Sequence, residues 1–201
     1  MKNNLILLLF VIVFTLFIVG CGTRNNTVRG NGDVISQERT AINFTGIVHS
    51  SVANIEIHPS NAFRVIVTTD SNIQDIVLIE VNNNLLNISM RSNTNVNNIT
   101  KLTVDIYLPE LAIIRSSGVG SINVSSGSSS NLEIVHSGVG NIDAQNFQVE
   151  NIIITHSGVG RSSVWATSSL SGTLSGVGSI RYRGSPTVNV SRTGVGSISQ
   201  L

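Results

Sequence analysis

Residue types able to do chemistry are few in this chain and thinly spread. His136 and His156 share one phase, each directly before a Ser, 20 residues apart. Two imidazoles on adjacent strands could share a transition metal, which makes them the weak metal candidates, but the matching residues elsewhere are Ser116, Leu174 and Arg192, and no third ligand recurs. The plainer expectation is a histidine ladder hydrogen-bonded to the Ser137 and Ser157 hydroxyls, at a phase that Leu174 marks as partly inward. Glycan hydrolysis or lysis needs paired carboxylates, or a carboxylate beside a cation. Glu133, Asp143 and Glu150 fall within about one turn of a repeat, with Arg161, Arg181 and Arg183 further along, but no carboxylate ladder recurs and the charges read as a solvated face. Trp165 and Tyr182 lie one residue apart in repeat phase, either as a small sugar platform or as corner packing. Calcium-binding β-rolls need Gly-Gly-x-Gly-x-Asp, and only Asp143 stands near such a place. The Gly-x-Gly pairs lack the strand-to-helix step and the Lys-Ser/Thr of a phosphate loop. No catalytic residue and no cofactor is expected.

The elements that must position these residues are set by a repeat. Ser-Gly-Val-Gly starts at Ser117, Ser137, Ser157 and Ser175, with a Thr-led copy at Thr193, so successive steps are 20, 20, 18 and 18 residues. Before each copy stand two apolar ladders at period two: Ala112, Leu132, Ile152, Leu170 and Val188, then Ile114, Ile134, Ile154, Gly172 and Val190. After each copy comes a third, Ile122, Ile142, Ile180 and Ile198, broken only by Ser162. Each unit therefore holds two short strands round a corner. The corner glycines are Gly118 and Gly120, Gly138 and Gly140, Gly158 and Gly160, Gly176 and Gly178, and Gly194 and Gly196. They meet a need either for positive φ or for tight backbone stacking.

A unit this small buries its apolar face only by stacking on its neighbours, about 4.8 Å apart. The fold expected is all-β: a right-handed parallel β-helix, or β-solenoid, with an irregular β-rich N-terminal part. An antiparallel sandwich of hairpins is the competitor.

The chain opens with one Lys and an apolar run from Leu5 to Val19, too short for the ~20 residues of a spanning helix and shaped like a signal peptide. It ends in Ile18-Val19-Gly20-Cys21, which looks like a bacterial lipobox and holds the chain's one cysteine. On that reading residues 1–20 are removed, Cys21 is lipidated, and the mature chain starts there, attached to a membrane; the alternative is a retained anchor helix. Gly22 after Cys21 lacks the Asp that retains lipoproteins at an inner membrane, which favours the outer membrane or cell surface. Loss of Lys2 leaves 11 basic and 11 acidic side chains, with neither the basic footprint nor the aromatics of a nucleic-acid binder. Residues 21–32, polar and aperiodic, read as a flexible tether. The domain then covers 33–201: 33–110 irregular and β-rich, 111–201 the repeats. Within the first part the strands are separated by Asn/Ser/Thr clusters, with Asn82-Asn83-Asn84 placed as a hairpin turn. This part is either an irregular start of the solenoid or a small subdomain capping it.

Gly30-Asn31-Gly32-Asp33-Val34, Glu38-Arg39, Phe44-Thr45-Gly46-Ile47, Val65 to Thr69, Leu85 to Ile88, Leu108-Pro109 and the repeated Ser-Gly-x-Gly-x-Ile occur here in an order that resembles the DUF2807 family, also called the GIN domain or putative auto-transporter adhesin head domain. The resemblance covers the mature chain after the tether. It implies a β-helical, exported, frequently lipid-anchored protein. Members often carry Asp after the second Gly, whereas this chain has Ser121, Asn141, Arg161, Ser179 and Ser197.

The last copy is followed only by Ser199-Gln200-Leu201, so the final rung is expected to present an open edge able to pair with another molecule and to give end-to-end homo-oligomers. Together these features predict a cell-envelope protein that makes noncovalent contacts with a protein or glycan, as an adhesin-like or scaffold module. A glycan-processing enzyme and a self-assembling structural protein are the alternatives.

Overall fold

The computed structural model describes residues 26–201, and among these there is no α-helix; a single 3-10 turn at Gln74–Ile76 interrupts the strands. The apolar ladders of the repeat pair residue for residue in parallel. One runs Ile114, Ile134, Ile154, Gly172, Val190; the other runs Ile122, Ile142, Ser162, Ile180, Ile198. Ile114, Ile134, Ile154, Ile122, Ile142 and Ile180 are buried, because every second side chain of a strand faces the same way. Ile142–His156 and Val159–Leu174 bend through a corner and serve both ladders, so the main sheet of 15 strands wraps one apolar core and is nearly closed.

The N-terminal part both extends these ladders and covers their end. Gly46–His49 lies parallel to Ile113–Ser116, and Asn54–Pro59 parallel to Ile122–Val124. A further rung, Leu85–Met90 with Leu102–Leu108, lies on the far side of Gly46–His49 and Asn54–Pro59. The first two rungs are thus stacked in the reverse of their chain order, which a coil wound strictly in sequence does not do. The outer edge of that bottom rung is closed by antiparallel strands. Val77–Asn82 pairs with Leu85–Met90, Arg64–Asp70 with Leu102–Leu108, and Val34–Arg39 with Arg64–Asp70. Residues 33–110 thus supply both parallel strands in register with the repeat ladders and antiparallel strands along their outer edge. The hairpin turn is Asn83-Asn84, both at positive φ (51° and 60°), the two-residue turn whose twist suits flanking strands.

The flexible tether expected at 21–32 is corrected over its second half. Asn26–Arg29 is a strand, parallel to Thr94–Asn97. The Gly32 amide donates to Asp70 Oδ1 at 2.6 Å, and the Thr100 amide and hydroxyl donate to the same carboxylate at 2.8 Å. This buried carboxylate collects the donors of two loops, which is why a Gly- and Asn-rich segment is held. The signal peptide and Cys21 lie outside the described residues.

Candidate functional site

At the corner, each Ser-Gly-Val-Gly copy sits directly on the one below. The Ser137 and Gly138 amides both donate to the Ser116 carbonyl (2.8 and 3.1 Å), Val139 donates to Gly118 O (2.9 Å), and Gly120 donates back to Val139 O (3.0 Å). A Cβ on Gly138 would run into the Gly118 carbonyl although its φ is unexceptional, so stacking alone requires that glycine. Gly140 combines a φ of +142° with the same collision, against Gly120.

One further corner lies outside the Gly-x-Gly copies. A Cβ on Gly118 would meet Ser51 O, and one on Gly120 would meet Ala53 O, so residues 49–55 form a corner beneath the first repeat. His49-Ser50-Ser51-Val52-Ala53-Asn54-Ile55 differs from His136-Ser137-Gly138-Val139-Gly140-Asn141-Ile142 only at Ser51 and Ala53. Side chains are admitted there because the rung below does not turn this corner: after Met90 the chain leaves to pair Thr94–Asn97 with Asn26–Arg29. The His-Ser-x-Val-x-Asn-Ile spacing was the available signal.

Inside the corner runs a column of His49, Ser116, His136, His156 and Leu174, in register on successive rungs and buried. The two histidines singled out from sequence are adjacent, rings edge-on with centroids 4.6 Å apart, and His49 joins them. Their hydroxyl partners differ from those expected. His49 Nδ1 lies 3.2 Å from Ser116 Oγ, and His156 Nδ1 lies 3.0 Å from Ser162 Oγ. Ser137 and Ser157 follow the histidines directly and so point outward. Ser162, which breaks the isoleucine ladder, is the polar residue that His156 needs. His49 Nε2, His136 Nδ1 and His156 Nε2 have no partner. Burial pushes His49 down to about 4; burial and the neighbouring imidazoles do the same to His136, and burial lowers His156. The column is therefore neutral near pH 7. Among the described residues no group of three or more His, Cys, Asp or Glu is arranged to hold a metal ion.

The residues weighed for glycan chemistry are dispersed. Glu133 accepts from Arg115 (3.1 Å), Asp143 accepts from the Gln145 amide (3.1 Å), and Glu150 lies beside Ser128 to Ser130 and Gln148 in a shallow cleft. Trp165 is level with Arg183, whose guanidinium lies 4.3 Å from its ring centroid, while Tyr182 is level with Val164 and packs against the core. Adjacent strand positions face opposite ways, so these two rings make no shared platform. No carboxylate ladder recurs along the repeats, where this row runs Asn123, Asp143, Ser163, Arg181 and Ser199. The rung order hid from the sequence that Asp105 and Glu56 continue the row below Asn123, so that three carboxylates and one Asn occupy four consecutive rungs facing outward. Asn123 Nδ2 donates to Glu56 (2.8 Å), His58 lies 3.4 Å from Asp105, and His58 stacks on Tyr107 at 4.7 Å.

At the other end, Thr187–Arg192 pairs only with Val159–Leu174, and Val195–Gln200 only with Val177–Arg183. Val188 (39 %) and Val195 (73 %) are exposed on this rung.

A family model described as "Putative auto-transporter adhesin, head GIN domain" (DUF2807) matches residues 43–126 and again 112–186. Among solved structures, a putative adhesin from Bacteroides fragilis NCTC 9343 is similar, at 25% identity and TM-score 0.63, over 87% of this chain and 100% of that one. A protein described as a putative lipid binding protein, from Parabacteroides distasonis ATCC 8503, shares the fold at 23% identity and TM-score 0.56, over 88% of this chain and 100% of the other. No curated protein matches the chain.

Proposed function

The chain belongs to the DUF2807, or GIN domain, family, and from that premise we propose that it is an exported, lipid-anchored envelope protein that makes noncovalent, adhesin-like or scaffolding contacts. The observation that carries this reading is the open rung at Thr187–Arg192 and Val195–Gln200, whose outer backbone groups have no strand partner among the described residues. An uncovered edge is a template for an added strand, a recurring mode of protein and peptide capture. A second copy added there gives the end-to-end assembly.

The coil is taken as a right-handed parallel β-helix, supported by the in-register parallel ladders and by the hand that strand crossovers take. Lipidation at Cys21 fixes its orientation. Only four residues lie between Cys21 and Asn26, five residue steps that reach at most ~18 Å, so the antiparallel cap stands close to the membrane and the open rung points away. The name given to the Bacteroides relative accords with a contact role at the cell surface. A second reading, contact with a glycan, is favoured by the Asp105, Glu56 and Asp143 row beside the His58–Tyr107 stack, groups suited to hydroxyls and sugar faces.

Sedimentation velocity over a range of concentrations tests the edge. Association that Val195→Lys abolishes and Val139→Lys, away from the edge, leaves intact supports it; a monomer throughout, with no strand-forming peptide bound, removes it. Metabolic labelling with palmitate, lost in Cys21→Ser, tests the anchor.

A further inference from the structure

Val52, Val119, Val139, Val159, Val177 and Val195 form one column along the whole corner. Val119, Val139 and Val159 are bridged in parallel, and Val159, Val177 and Val195 are paired in register. Val119 donates to the Ser51 carbonyl as Val139 does to Gly118, both at 2.9 Å, which puts Val52 at the foot. All six are exposed, at 51, 52, 50, 48, 54 and 73 % in that order. From Val119 upward each stands between two glycines that contribute no side chain, so the valines project as a ridge with a furrow on either side. At about 4.8 Å per rung the ridge is roughly 24 Å long. Its flanks are Ser and Thr hydroxyls on one side and, on the other, Asn54, Ser121, Asn141, Arg161, Ser179 and Ser197, with Arg161 the one charge.

The repeated valine is not needed by the core, since none of the six faces it. Together they present on the order of 500 Å² of contiguous apolar surface, at the upper end of what a monomer ordinarily leaves bare. A partner that matches the ridge along its length must repeat at the interstrand distance, and a second copy of this chain does so with the same side chains. Set side by side, the valines of one copy enter the glycine furrows of the other, as interdigitating ladders do in dry sheet interfaces. Two such faces bury about 1,000 Å², the lower bound for a specific interface and the range of weak, transient association. Confinement to a membrane raises the effective concentration enough to populate a contact of that strength.

We propose that the valine ridge is a lateral contact between two copies standing side by side, level and with the same end toward the membrane. The level orientation rests on the lipid-anchored reading given above; the ridge contact itself does not.

The test uses single cysteines in the full chain, Val139→Cys and Val195→Cys, with mild oxidation of membrane fractions and of concentrated purified protein. The parent chain, which carries Cys21, sets the baseline, and Thr155→Cys, on an outward strand face away from the ridge, is the off-site control. Dimer from both ridge variants above the parent and above Thr155→Cys, lost when Val159→Lys is added, is the expected result. No dimer above the parent in either preparation overturns the contact. Dimer at Val195 only when mixed with Val52→Cys overturns the level orientation. Palmitate labelling of the same samples separates the cases: label without dimer sinks the ridge alone, and dimer without label sinks the anchor alone.

Discussion

His156 Nδ1 lies 3.0 Å from the Ser162 hydroxyl, joining the end of one strand face to the start of the next across a Ser-Gly-Val-Gly corner, with both residues buried. The bond accounts for the one break in the isoleucine ladder. Removing the hydroxyl alone, as Ser162→Ala, strands the imidazole and is expected to cost about 1–3 kcal/mol. The double change His156→Leu with Ser162→Ile installs the residues found at these phases on the next rung, Leu174 and Ile180, and is expected to recover most of that loss. Urea denaturation of the three proteins checks both statements.

The neutral histidine column makes stability depend on pH in a defined direction. Unfolded, His49 and His136 protonate near 6.5; folded, they resist protonation until about 4. Between these values the unfolded chain binds more protons. Their contribution is therefore complete above pH 6.5, declines as pH falls toward 4, and is flat below. The slope in that window approaches ~1.4 kcal/mol per pH unit for each histidine. Denaturation midpoints from pH 7.5 to 4 should fall in this way, and His136→Leu should flatten the curve.

Corner glycines should differ in tolerance according to what lies beneath them. Gly140→Ala places a Cβ against the Gly120 carbonyl at a φ of +142°, and is expected to cost about 3 kcal/mol or more. Ala53→Gly, at the matching position of the lowest corner, should change stability by no more than about 1 kcal/mol. Thermal melts of the two variants decide the comparison.

The ladders and corners were legible in the sequence because a fixed period repeats both the alternation of apolar residues and the glycines that stacking demands. The corner at residues 49–55 was hidden by the two side chains that its position permits, Ser51 and Ala53. Rung order was not legible. Leu85–Met90 and Val77–Asn82 show similar alternation, yet one is a parallel rung and the other an antiparallel cap, and period two does not distinguish them. The carboxylate row of Asp105, Glu56 and Asp143 was hidden for the same reason. The hydroxyl partners of the histidines were misplaced because the nearest serines in sequence, Ser137 and Ser157, sit on the opposite face of the strand.

Asp70 is predicted to latch the N-terminal strand. Burial alone would raise its carboxyl; the Thr100 amide and hydroxyl and the Gly32 amide outweigh that and hold it below the usual range. Its contribution is thus present above the unfolded carboxyl value and lost as pH falls through the lowered folded one. Asp70→Asn should free residues 26–32 for proteolysis and hydrogen exchange while leaving protection in the repeats unchanged.

The central claim, an anchored stack displaying its open rung outside the cell, is tested most directly by protease treatment of intact cells carrying a C-terminally tagged protein, with a lysed control and a periplasmic marker. Rapid loss of the tag from intact cells, with the marker preserved, is the predicted result. Protection of the tag until lysis would contradict surface display.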